Sequence, residues 1–160
     1  MVAAIDRQLE AYAMEISLTP EEQLEVFGTD KAGGEWAEEA EQRWADTDAY
    51  RQSARRAAAY TKEDWVRIKA EADEGTQAFA AAMRAGLPAT GPDAMDLAES
   101  HRQHISRWFY DCGYDMHRGL ASMYIADERF TRTYDDMAPG LAQYVHDAIA
   151  ANADRHAADA

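Results

Sequence analysis

A chain of 160 residues, 47% hydrophobic and 10% aromatic, has the length and the apolar material for one domain that folds without staples. Its net charge of -14, from 30 acidic against 16 basic residues, excludes nucleic acid and anionic membranes as partners attracted by this chain alone. One cysteine excludes an internal disulfide, and with neither a basic, apolar leader nor an apolar run of about twenty residues the chain is expected in the cytoplasm.

Helical spacing recurs from end to end and no segment alternates long enough to make a strand, so the expected class is all-α. Residues 2–14 carry weak helical character, with Ile5, Leu9 and Tyr12 on one side. Thr19-Pro20-Glu21-Glu22 is a capping box with proline at the first helical position, opening a helix through Leu24, Val26 and Phe27 that Gly28 closes. A loop from Gly28 to Gly34 precedes Trp36, Ala40 and Trp44 at helical spacing, and Thr47 restarts a helix carrying Tyr50 and Ala54. These helices are short and rich in charge or alanine, which marks Thr19 to Ala59 as the stretch held least firmly without a partner.

Thr61-Lys62-Glu63-Asp64 caps a longer helix whose buried face is Trp65, Ile68, Ala72, Phe79 and Met83, ending near Gly86-Leu87-Pro88. Pro88 to Pro92 is a connection, and Asp93 starts a helix that runs toward Trp108. One stripe through Ile105, Phe109, Cys112, Met116, Leu120 and Met123 would fit a continuous helix. Gly113 weakens a helix interior by about 1 kcal/mol and Asp111 suits a cap, so a corner is expected here, with a new helix to about Ile125. Asp127 to Arg132 reads as a short helical turn. The last helix opens after Asp136 and Pro139, buries Leu141, Tyr144, Val145, Ala148 and Ile149, and frays into an alanine-rich tail.

The stretch from Trp108 to His117 gathers aromatic rings, a histidine, a methionine and the sole cysteine, a composition suited to an organic ligand. Gly113 there would let backbone approach closely. Tyr110, Tyr114, His117 and Tyr124 form a second stripe that either lines a cavity or hydrogen-bonds between helices. His101, His104, Asp96, Cys112 and His117 are nominal metal ligands, but no CxxC or HExxH pattern is present, so exposed or capping histidines are expected and no metal. Cys112 lies near Asp111 and His117, yet no nucleophile elbow or oxyanion site accompanies it, and packing is the expected role.

Several runs are those of one known family: Glu25-Val26-Phe27-Gly28, Arg43-Trp44, Thr47-Asp48-Ala49-Tyr50-Arg51-Gln52-Ser53, Tyr60-Thr61-Lys62-Glu63-Asp64-Trp65 and His101-Arg102-Gln103. Tyr110-Asp111-Cys112-Gly113-Tyr114, Met116-His117, Met123-Tyr124, Asp127-Glu128-Arg129-Phe130-Thr131 and Pro139-Gly140-Leu141-Ala142 extend the match. From about Ser17 to His156 the chain closely resembles the TipAS antibiotic-recognition domains of MerR-type regulators. The resemblance implies a globin-like helical domain without haem, whose amino-terminal helices order over a thiopeptide or another bulky aromatic peptide antibiotic such as albicidin. It also implies that residues 1–16 are the remnant of a linker or dimerisation helix and residues 17–157 the binding domain, as a short form or a truncated one. The resemblance also implies that in thiopeptide-binding TipAS a cysteine seven residues beyond the Cys112 position captures a dehydroalanine of the ligand; Gly119 stands there, so that adduct is not expected.

The resulting expectation is noncovalent binding and sequestration of a large aromatic antibiotic, as a drug-sensing effector domain or a stand-alone resistance protein, with no cofactor and no catalysis. The expected ligand wall is Phe27, Trp44, Tyr50, Tyr60, Trp65, His104, Trp108, Tyr110, Cys112, Tyr114 and His117, and the chain is expected as a monomer or weak dimer. Two rivals follow from the residues: a protein-interaction module using Ile5, Leu9 and Tyr12, and an enzyme depending on Cys112 or on a metal.

Overall fold

The computed structural model describes residues 46–158. The helices expected within residues 2–14, 19–28 and 36–44, and the candidate contacts Phe27 and Trp44, lie outside them. Among the described residues there are six helices and no strand: α1 (Asp48–Ala58), α2 (Lys62–Arg84), α3 (Pro92–Trp108), α4 (Tyr114–Ala126), α5 (Glu128–Met137) and α6 (Leu141–Ala158).

Local chemistry sets the boundaries. Thr47 caps α1 by accepting from the Tyr50 amide at 3.2 Å, with Asp48 in the first turn and Arg55 and Arg56 in the last, signs that complement the helix dipole. At the start of α2 the cap is reciprocal: the Asp64 amide donates to Thr61 Oγ1 at 3.2 Å and the Thr61 amide donates to Asp64 Oδ2 at 3.0 Å. Gly86, at φ 77°, ends α2 in a left-handed residue. Its amide donates to Met83 O while the Leu87 amide reaches Ala82 O, the paired bonds of a Schellman stop. Pro92 occupies the first position of α3, where its missing N–H leaves nothing unsatisfied.

The corner expected after Trp108 is present, with one change of role. Gly113 takes the cap position of α4 at φ -75° and ψ 174°, with no side-chain cap bond. Asp111 instead accepts from Arg56 Nη2 at 3.0 Å. A Cβ on Gly113 would meet nothing within 4 Å, so close backbone approach is not its purpose.

The turn expected at Asp127 to Arg132 is a full helix, α5, capped by Asp127 and burying Phe130, Thr133 and Tyr134. The expected alanine-rich frayed tail is also helical: α6 runs to Ala158 and buries Asn152 and Ala153 besides Leu141, Tyr144, Val145, Ala148 and Ile149. On the buried face of α2, Trp65, Ile68, Ala72 and Phe79 lie inside as expected, whereas Met83 is half-buried.

The described residues fall into two compact units, with α2 and α3 each contributing residues to both. One comprises residues 46–71 and 105–111, and its interior holds Trp65, Ile68, Ile105, Phe109 and Tyr110. There Arg56 donates to Ser106 O at 2.7 Å and Gln52 accepts from the Asp111 amide at 2.8 Å, which join α1 to the end of α3 and the residues after it. The other unit comprises residues 72–104 and 112–158, in which α6 packs across α4 and α5. Asp135 of α5 accepts from the Ala142 amide at 3.1 Å and so caps α6. No described helix is long and apolar enough to cross a membrane.

Candidate functional site

In the unit of residues 46–71 and 105–111, the aromatic candidates form a connected cluster. Tyr60 stands edge-on to Trp65, with ring centroids 5.7 Å apart and planes at 77°, and to Trp108, at 5.4 Å and 81°. Both geometries suit aromatic quadrupoles, worth about 0.5–1.5 kcal/mol per pair beyond area burial. The Tyr60 hydroxyl donates to the Trp108 carbonyl. Burial raises the Tyr60 phenol above its usual range, against the lowering influence of Arg56. Trp65 is wholly buried and 6.4 Å from Phe109, and Tyr110 is 2% exposed. Tyr50 lies at the edge of burial, while Tyr60 and Trp108 keep part of their surface. The indole Nε1–H of Trp108 donates to Glu71 Oε1 at 2.8 Å. Glu71 was not a sequence candidate, because a carboxylate in mid-helix reads as part of a solvated face.

The other unit holds a polar network around Glu99 and Arg102. Arg102 makes a two-pronged contact with Glu99, at 3.1 and 2.6 Å, and donates to the Cys112 carbonyl at 2.8 Å. Burial works against the Glu99 charge, but hydrogen bonds from Arg102, Asn152 and Gln103 outweigh it and hold the carboxyl down to about 2. The Arg102 guanidinium lies 4.3 Å from the centre of the Tyr114 ring, which stacks on His156 at 4.4 Å and 17°. Tyr114 is therefore half-buried with its ring already engaged. Arg102 and Asn152 also escaped the sequence reading, although the i, i+3 spacing of Glu99 and Arg102 was a visible signal.

Of the nominal metal ligands, the structure brings together only His101 and His117. His101 Nδ1 and His117 Nε2 are 2.8 Å apart and the rings stack at 24°. Asp96 pairs with Arg155 instead, and among the described residues no group of three metal-binding side chains forms. The expectation of exposed or capping histidines is corrected: His117 is wholly buried and His101 half-buried, while His104 is also half-buried. Burial pushes the His117 imidazole down to about 4, with Arg102 adding to it, and burial together with His117 and His104 holds His101 well below its usual value.

The second stripe is core. Tyr124 is fully buried, its ring 5.2 Å from Tyr134 and 6.0 Å from Phe130, and only Tyr114 of the four keeps partial exposure. In the apolar stripe Met116 is 44% exposed, which a continuous helix burying that stripe would not allow. Cys112 is 2% exposed and burial pushes its thiol up to about 12, so the thiolate needed for nucleophilic attack is suppressed. Gly119 is exposed, and a Cβ placed there would meet nothing within 4 Å.

The sequence profile of the TipAS antibiotic-recognition domain matches residues 36–152. The HTH-type transcriptional activator TipA of Streptomyces coelicolor is 57% identical over 156 residues, covering 98% of this chain, and the chain spans 61% of that protein's length. A solved structure of TipAS from Streptomyces lividans in complex with nosiheptide is 59% identical, with a TM-score of 0.79 over 88% of this chain and 98% of the other. The antibiotic-binding domain of a TipA-class multidrug resistance transcriptional regulator is 60% identical, with a TM-score of 0.54 over 57% of this chain and 98% of the other.

Proposed function

We propose, for a chain that belongs to the TipAS antibiotic-recognition domain family, that it binds a large aromatic peptide antibiotic of the thiopeptide kind without chemical change and holds it out of solution. The observation that carries this reading is the 59% identity and shared helical fold with a TipAS domain in complex with nosiheptide. The half-buried rings of Tyr60 and Trp108 are the contact surface the described residues offer most readily, since their faces can stack on thiazole-like rings. Trp65, Tyr110, Cys112 and His117 lie behind the surface and act by packing.

The binding is noncovalent and the chain is not an enzyme. Gly119 carries no nucleophile at the position where the resemblance implies a ligand-capturing cysteine in thiopeptide-binding TipAS, and the Cys112 thiol is buried, with burial pushing it up to about 12. The binding domain spans residues 17–157. As the effector part of a longer regulator it would shift a conformational population when the drug arrives; alone it lowers free drug and confers resistance by sequestration.

A thermal-shift series against nosiheptide, an albicidin-like compound and an unrelated macrocycle, paired with recovery of the ligand, tests this. A ligand that binds only the folded chain stabilises it by about 2.7 kcal/mol at a hundred times its dissociation constant. The expected result is a concentration-dependent rise in Tm with an aromatic peptide antibiotic, and intact ligand recovered afterwards. No shift with any of them overturns the reading.

A further inference from the structure

We propose that Glu71 is a positioning residue that holds the Trp108 indole as a preset plate for a flat ring of the ligand, an inference that rests on the antibiotic-binding reading. Trp108 is the last residue of α3, where a side chain has the most freedom, and it is only half-buried. Yet it is restrained from three directions. Its Nε1–H donates to Glu71 Oε1 at 2.8 Å, its carbonyl accepts from the Tyr60 hydroxyl, and its ring meets Tyr60 at 81°. The carboxylate is itself anchored, with Arg67 Nε 3.4 Å from Oε2 and Arg107 Nη1 3.5 Å from Oε1. The Arg67 guanidinium also lies 6.0 Å from the centre of the Trp108 ring.

Core packing does not require this arrangement. Trp65, in the same unit, is secured by complete burial, whereas fixing a half-exposed indole sacrifices rotamer freedom without the full return of apolar burial. The restraint becomes useful when a planar group lands on the ring, because the entropy of orienting the indole is then already spent. A carboxylate suits the task better than a packed apolar neighbour, since one directional hydrogen bond from Nε1–H fixes the tilt of the whole indole. The ligand group this favours is a neutral, flat heteroaromatic ring.

The test is a double-mutant cycle read as the nosiheptide dissociation constant, alongside chemical denaturation of the ligand-free chain. Glu71→Ala is expected to weaken binding by about threefold to tenfold, the size of one aromatic stacking contribution. Glu71→Gln, whose amide oxygen still accepts from the indole, restores affinity to within about twofold because the exposed ion pairs contribute little. Trp108→Ala weakens binding at least as much as Glu71→Ala, and the double variant loses no more than Trp108→Ala alone. The indole Nε1–H resonance of Trp108, assigned with Trp108→Phe, shifts in Glu71→Ala and returns in Glu71→Gln. Unchanged affinity in Glu71→Ala, or losses in the two single variants that multiply in the double, overturns the positioning role while leaving antibiotic binding intact. Absence of nosiheptide binding by the unmodified chain overturns both.

Discussion

Acid should destabilise this fold well before its carboxylates are protonated, and the cause is the His101–His117 pair. Only one hydrogen bond joins the facing nitrogens, His101 Nδ1 and His117 Nε2, and His117 Nδ1 is buried with no hydrogen-bond partner. In the neutral pair, His117 Nε2–H donates to His101 Nδ1 and leaves only a lone pair at the buried nitrogen. A further proton on either ring puts an N–H on His117 Nδ1, where nothing accepts it, a cost of about 1–3 kcal/mol besides the burial of charge. The charged groups beside the pair do not offset this. Arg102 repels the added proton more strongly than Glu99, itself engaged with Arg102 and Asn152, attracts it, and Tyr124 meets His101 edge-on at 6.2 Å. On the α6 side Arg155 is bonded to Asn152 and Asp96, and His156 to the Asn152 carbonyl.

The sign follows from the direction of the shift. His117 falls from 6.5 to about 4 on folding, so the unfolded chain binds more protons below pH 6.5 and stability is lost as the pH drops toward 4. At about 1.36 kcal/mol per unit, His117 alone removes about 2 kcal/mol between pH 7.5 and pH 5, and His101 acts in the same direction. Urea denaturation at several pH values measures this, and His117→Phe should flatten the slope by about that amount. A stability that stays level from pH 7.5 to 5, or a His117 ring resonance that titrates near 6.5, would show that the buried pair does not set the acid sensitivity.

Three further outcomes are expected. Gly86→Ala, forced to φ 77°, should cost about 1 kcal/mol, whereas Gly113→Ala, at φ -75° with open space around its Cβ, should be neutral or slightly stabilising in the same denaturation assay. Arg102→Met leaves the mostly buried Glu99 carboxylate without its charged partner, and should lower stability by about 2–3 kcal/mol. Gly119→Cys places a thiol at an open, exposed position, where thiolate addition across a dehydroalanine C=C would form a carbon–sulfur bond and pass a proton to the α-carbon. Intact-mass spectrometry should then show protein plus one thiopeptide in Gly119→Cys, and equally in Cys112→Ala/Gly119→Cys, but not in the unmodified chain.

The boundaries most legible in the sequence are those with a local mechanism. Thr47, the Thr61–Asp64 box, the glycine stop after Arg84 and the corner before Tyr114 each depend on a few neighbouring residues, and each is where those residues put it. The ends of the other elements depend on distant partners. α5 carries Phe130, Thr133 and Tyr134 among charges, too thin a stripe to extend by pattern, and it is completed by packing against α4 and α6. The alanine-rich end of α6 looks frayed until Asn152 is seen donating to Glu99 Oε1 at 3.0 Å, a contact between residues 53 positions apart. The histidines were visible as candidates but not as a pair, since sixteen residues and a corner separate His101 from His117. Glu71 shows the same limit from the other side, an ordinary helical carboxylate until Trp108 is placed against it 37 residues later.

Titration of the purified chain with nosiheptide, followed by mass spectrometry first under native and then under denaturing conditions, decides whether the chain holds the antibiotic and holds it without a covalent bond. The expected result is a saturable one-to-one complex that comes apart on denaturation into protein and antibiotic of unchanged mass. A chain that shows no saturable complex, or that keeps the mass of the antibiotic after denaturation, contradicts it.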